Sequence, residues 1–207
     1  MDRYADHATV CSCGGDRTIR HNAIRDQVYS EIRELGSPAE REKAGLLPSR
    51  PESDGLPAVA QRRRPADIWI PGQAGAPARA IDFAVCSGFR APLLGAPEHA
   101  ADSTFAEYED YKRQYQETDL QCRNEGMDFV PFVIEAHAGG VSPLARRTID
   151  SLLKTAPGAT EAAPLRMAQR ISCALQREVA RAVLRRRPVG SSDPTASGWD
   201  EVVELDG

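Results

Sequence analysis

Residues 62–85 read RRRPADIWIPGQAGAPARAIDFAV, and this stretch decides the fold. It holds two short apolar runs, about 67–71 and 80–86, rich in Ile, Val, Phe and Trp and joined by a Gly/Pro/Ala loop. That pattern predicts a strand, a turn and a second strand. Asp67 heads the first run and Asp82 sits in the apolar middle of the second. A hairpin can bring two such carboxylates within a few ångströms of one another. Carboxylates that close repel, so a divalent cation or a shared proton must relieve them. Mg²⁺ suits hard oxygen ligands and usually brings substrate phosphates with it. The alternative is plainer: Asp67 stays hydrated at a strand end, and Asp82 is a buried, hydrogen-bonded carboxylate.

The chain outside this hairpin is divided by its glycines and prolines. His21, Ile24, Arg25, Val28, Ile32 and Leu35 recur at helical spacing, which predicts an amphipathic helix over 18–35, ended by Gly36 and Pro38. Residues 37–60, with Pro38, Pro48, Pro51 and Pro57, read as a long loop with a short strand near LPAVA. A Gly/Pro/Ala loop fills 87–101, a second helix covers 102–125 up to Gly126, and FVPFVIE at 129–135 is a third strand. Pro131 marks that strand as an edge or a bulge. Two further helices are expected at about 144–155 and 164–187. The order of elements predicts an α/β fold, a small central mixed sheet flanked by helices. It divides into a Cys/His segment (1–16), an α/β core (17–156), an amphipathic basic C-terminal helix (157–187) and a disordered acidic tail (188–207).

Composition narrows the function. A chain of 207 residues can bury a full core, and its 41% hydrophobic and 27% charged content is that of an ordinary globular protein. The net charge of −4 confines any nucleic-acid binding to local basic patches. No apolar run is long enough for a membrane span, and the first residues carry no apolar signal core. Five cysteines without framework spacing suit a reducing compartment, the cytoplasm or the nucleus. No P-loop, Gly-x-Ser-x-Gly or His-Glu-x-x-His motif occurs, and YEDY at 108–111 sits on the amphipathic second helix, where it is no polymerase motif.

A lysine near the two acids would supply positive charge for a pentavalent phosphate. Phe105, Tyr108, Lys112, Tyr115, Asp119 and Cys122 share one stripe of the second helix, the face expected to pack on the sheet. Lys112 must therefore snorkel out to water or point into a polar site.

With these residues in place, RPAD followed by fourteen residues and then Asp82 resembles the PD-(D/E)XK nuclease signature. It looks most like the restriction-endonuclease-like domains of site-specific non-LTR retrotransposons, in which a basic-Pro-Asp motif precedes a second acid. The flanking segments HATVCSCGGDRTIRHNAIRD and YEDYKRQY…GMDFVPFVIEAHAGG resemble the same domains, so the likeness covers about residues 7–155. The resemblance implies a restriction-endonuclease-like fold and Mg²⁺- or Mn²⁺-dependent cleavage of DNA. It makes Asp67 and Asp82 the metal ligands and allows a reverse-transcriptase domain upstream as a partner. This chain departs from the pattern twice. Ala66 separates Pro65 from the acid, and Ala84 stands where the Asp-x-Lys lysine belongs. The lysine role would pass to Lys112, with Tyr115 orienting it or a phosphate.

Supporting residues follow. His21 and Arg25 lie on the apolar face of the first helix, where such nucleases often draw an extra site group, and Glu31 at its edge offers a third metal carboxylate. The plainer alternatives are a hydrogen-bonded histidine and a solvated glutamate. His7, Cys11, Cys13 and His21 carry zinc-ligand chemistry, although Cys-x-Cys is the rarer spacing and free thiols are the alternative. Arg166, Arg170, Arg177 and Arg181 form a stripe on the last helix, and Arg62, Arg63 and Arg64 a second basic cluster. Both could bind phosphate backbone or be solvated faces. Three functions fit: a metal-dependent DNA endonuclease domain, a catalytically degenerate nucleic-acid-binding module of the same fold, or a zinc-stabilised interaction domain. The reach of the Lys112 ammonium separates the first two.

Overall fold

A computed structural model describes residues 9, 11, 13–48, 65–73, 75–87 and 100–185, without the side chains of 100–103. The elements are α1 (Asp16–Glu34), β1 (Glu40–Arg41), β2 (Ile68–Ile70), β3 (Ala78–Cys86), α2 (Ala100–Gln114), α3 (Thr118–Asn124), β4 (Met127–Glu135), α4 (Pro143–Thr155) and α5 (Ala163–Arg185). The expected strand near LPAVA, His7, Arg62, Arg63, Arg64 and the acidic tail lie outside the described residues.

The four strands form one mixed sheet in the order β1-β2-β3-β4. β1 and β2 are antiparallel, as are β2 and β3, whereas β3 and β4 run parallel along their whole length. A parallel pair needs a crossover, and α2 and α3 supply it. Pro131 lies on the edge strand, opposite Asp82, where a missing N–H breaks no interior ladder. The fold is therefore α/β with helices on both faces.

Strand alternation sorts the two cores. Ile68, Ile81, Phe83, Val130, Phe132 and Ile134 pack with residues of α1, α4 and α5 into the main cluster. On the other face Ala80, Cys122, Met127 and Phe129 form one smaller cluster, and Ala84, Cys86, Phe105 and Val133 another, beneath α2 and α3. Met167, Ile171 and Leu175 belong to the main cluster, so the C-terminal helix is part of the same core as the sheet.

α1 ends as its Gly36 predicts. That glycine has φ 80, its N–H donates to the Arg33 carbonyl and the Ser37 N–H to the Ile32 carbonyl, the paired bonds of a Schellman cap. The second helix does not run unbroken over 102–125. A 3-10 turn at Tyr115–Glu117 splits it, with Gln116 at φ 54 and Glu117 at φ 55. Two non-glycine residues in the left-handed region redirect the chain, so that Tyr115 leaves the stripe while Cys122 of α3 still packs on the sheet.

The basic stripe of α5 is largely exposed, yet three of its four arginines reach buried acids. Glu31, fully buried on α1, accepts from Arg170 and lies 3.5 Å from Arg166 Nε. Arg181 pairs with buried Glu178, and only Arg177 remains exposed without a carboxylate partner among the described residues. Glu31 thus fastens α1 to α5 and is not a third carboxylate of an Asp67–Asp82 site. Arg170→Ala removes the nearest cation from a buried carboxylate and is expected to destabilise the chain by about 2–3 kcal/mol in urea unfolding. Arg177→Ala should stay within about 0.5 kcal/mol of the wild type.

Candidate active site

β2 and β3 bring the two acids together. The Asp67 N–H donates 2.9 Å to the Ile81 carbonyl, and Asp67 Oδ2 accepts 2.7 Å from the Phe83 N–H. Asp67 is therefore tied to the backbone of β3 on both sides of Asp82, through its own N–H on one side and its carboxylate on the other. Its Oδ1 meets His21 Nε2 of α1 at 3.0 Å. Asp82 occupies the same alternating row of β3 as Ala80 and Ala84. Those alanines leave room for a long side chain from the helix above, and Lys112 of α2 fills it, with Nζ 2.7 Å from Asp82 Oδ2. Four side chains, from α1, the residue just before β2, β3 and α2, thus form a connected row: His21, Asp67, Asp82 and Lys112.

Electrostatics sets the acids apart. Burial pushes Asp82 up, Asp67 adds to the effect, and Lys112 opposes both without cancelling them, so its carboxyl rises from the ordinary 3.8 to about 6. Its side chain keeps 22% exposure, so one edge remains open to solvent. Burial also acts upward on Asp67, but the His21 hydrogen bond and charge, the Phe83 N–H and Lys112 outweigh it and hold that carboxyl below the usual range. Burial works against the Lys112 ammonium, yet Asp82 and, more weakly, Tyr108 and Asp67 raise its pKa above the ordinary lysine value. Lys112 is a fixed cation at neutral pH.

A cleft of about 480 Å³ opens beside this cluster at His21 and Lys112, with Arg17, Thr18, Ala84, Ser87 and Tyr108 among its other lining residues; neither acid lines it. Tyr108, one helical turn before Lys112, is the tyrosine of the site; its place beside Phe105 in the apolar stripe concealed it as a core residue. Tyr115 stands elsewhere. It is half-exposed in the 3-10 turn, its ring 5.9 Å from that of Tyr111, because the break after α2 turns it away. Arg25 lies one turn beyond His21 and binds Asp26 at 2.9 Å and Glu42, not either acid of the cluster.

Asp67 and Asp82 are the oxygen donors on which a divalent ion could sit. Among the described residues no group of three or more His, Cys, Asp or Glu side chains is arranged to hold a metal. Two carboxylates fit Mg²⁺, which keeps several waters and is held through one or two protein carboxylates plus substrate phosphate. Of the zinc set, Cys11 is buried, Cys13 is exposed, and His21 turns its Nε2 to Asp67, so these three do not converge. No protein-family model and no curated protein matches the sequence.

The raised Asp82 carboxyl has a measurable consequence. Its share of stability is fully present below about 3.8 and is lost as the pH rises through about 6. At pH 7 the ionised group costs up to about 3 kcal/mol relative to its neutral form. Asp82→Asn should therefore unfold at higher urea than the wild type at pH 7, and the two midpoints should converge toward pH 4. A variant less stable than wild type at pH 7 contradicts the assignment.

Proposed function

We propose that the chain is a metal-dependent DNA endonuclease domain of the PD-(D/E)XK type, with a restriction-endonuclease-like fold akin to those of site-specific retroelements. The observation that carries it is the convergence of Asp67, Asp82 and Lys112 from β2, β3 and α2, with the Lys112 ammonium 2.7 Å from Asp82. Ala84 vacates the usual lysine position, and a lysine from the next helix arrives at the same acid. A purely structural ion pair would not need Asp67 beside it, nor a cleft that reaches Lys112 and His21.

Asp67 and Asp82 would hold Mg²⁺ or Mn²⁺. When bound, such an ion supplies an activated water and neutralises charge on the phosphoryl oxygens. Lys112, protonated at neutral pH, acts as a fixed positive charge beside the pentavalent phosphate and not as the base. Asp82, raised to about 6 without the ion, must lose its proton before it can serve as a ligand. His21 hydrogen-bonds Asp67 and, with the Phe83 N–H, fixes its orientation. Arg17 lines the cleft as a contact for the phosphodiester backbone.

Binding without cleavage is the second reading. It is favoured by one observation: both oxygens of Asp67 already have protein partners, in His21 and the Phe83 N–H. Nicking of supercoiled plasmid separates the two. The wild type should nick with Mg²⁺ or Mn²⁺ and stop with chelator, at a rate that rises with pH through about 6. Asp82→Asn and Lys112→Ala should each lose on the order of 10²–10³ in rate while still binding DNA. Binding with no nicking under any divalent ion establishes the second reading. Equal nicking by Lys112→Ala removes the lysine from the mechanism.

A further inference from the structure

A second cleft, of about 360 Å³, lies away from the acids. Four arginines line it, each from a different element: Arg79 of β3, Arg113 of α2, Arg123 of α3 and Arg147 of α4. It opens across the edge strand β4, which contributes Asp128, and it joins α2 and α3 on one face of the sheet to α4 on the other. Sequence inspection misses it, because the arginines are scattered over some seventy residues and form no run.

The charges in this cleft do not cancel. Asp119 and Asp128 are its acids. Arg123 pairs with Asp119 at 2.6 Å, and Arg113 lies 3.6 Å from Asp110. Arg79 donates 2.8 Å to the Ser151 hydroxyl and meets no carboxylate, and Arg147 is exposed with no ion pair among the described residues. Guanidinium groups present planar forks of donors that match phosphate oxygens, and lysine would match them less well. Convergence from four elements, with two arginines left without a counter-anion, is a built anion site and not one solvated helix face.

We infer that this cleft is a second phosphate-binding site, which takes a backbone phosphate of the same nucleic acid whose scissile bond lies at Asp67 and Asp82. This rests on the nuclease reading. Arg79 precedes Asp82 by three residues of β3, about 10 Å along the strand. Three residues along a strand also change its face. The bound strand therefore leaves the cluster and crosses the β4 edge to reach the arginines. Arg113, next in sequence to Lys112, ties the two sites through α2.

The test measures duplex DNA binding by the full chain in chelator, where no cleavage occurs, over a series of salt concentrations. Arg79→Gln/Arg147→Gln should lower the slope of log affinity against log salt by about 1.8, at about 0.9 per lost phosphate contact. Binding should weaken equally for unrelated sequences, and the nicking rate in Mg²⁺ at saturating protein should be unchanged. Arg147→Glu alone should reproduce at least half the slope change, and Arg33→Gln, on the exposed side of α1, should leave the slope as it is. An unchanged slope in a double variant whose parent binds and nicks overturns the inference and leaves the nuclease reading standing. A slower saturated nicking rate with an unchanged slope places the cleft in the chemistry and also overturns it. A wild type that neither binds nor nicks removes both.

Discussion

Two carboxylates cannot share a partly buried corner of a sheet unless something positive stands between them and the solvent they have lost. Here that is Lys112, while the His21 ring hydrogen-bonds Asp67 on the other side. Lys112 reaches Asp82 because β3 places Ala80 and Ala84 in the same row, so that α2 settles close above the acid. Asp67 is held by the β3 backbone itself, through Ile81 and Phe83. The remaining charge is imperfectly balanced, which leaves one acid raised and the other lowered. A pair of titratable groups driven apart in this way is the electrostatic pattern of a candidate functional site.

The same economy shapes the arginines. Those on α5, which look like a nucleic-acid stripe in the sequence, mainly neutralise acids buried at the α1–α5 contact. Those of the second cleft that meet no carboxylate among the described residues, Arg79 and Arg147, lie on β3 and α4. A helical stripe is visible from spacing, but whether its charges are spent depends on partners far away in the chain. Arg170 and Glu31 are 139 residues apart, and no local pattern connects them.

Local chemistry made most of the fold legible. Alternation in 67–71 and 80–86 marks β2 and β3, Gly36 marks the end of α1, and Pro131 marks β4 as an edge. Asp67, Asp82 and Lys112 were visible because each is a charge in an apolar context, where burial demands a partner. Tyr115 was misplaced because left-handed Gln116 and Glu117 break the helix without a glycine to announce it. Glu31 looked like a solvated charge at the edge of a helical face and is fully buried. β1 is too short, at two residues, to carry a periodic signal, and it exists through pairing with β2.

The central claim is that Asp67 and Asp82 act as one divalent-ion site. Calorimetric titration of the full chain with Mn²⁺ tests it without reference to cleavage. The account predicts one ion per chain, with affinity falling about tenfold for each pH unit below about 6 as the proton on Asp82 competes with the metal. Binding should be lost in both Asp67→Asn and Asp82→Asn and kept in Glu31→Gln. Binding that survives either aspartate substitution, or no binding at pH 7, contradicts it.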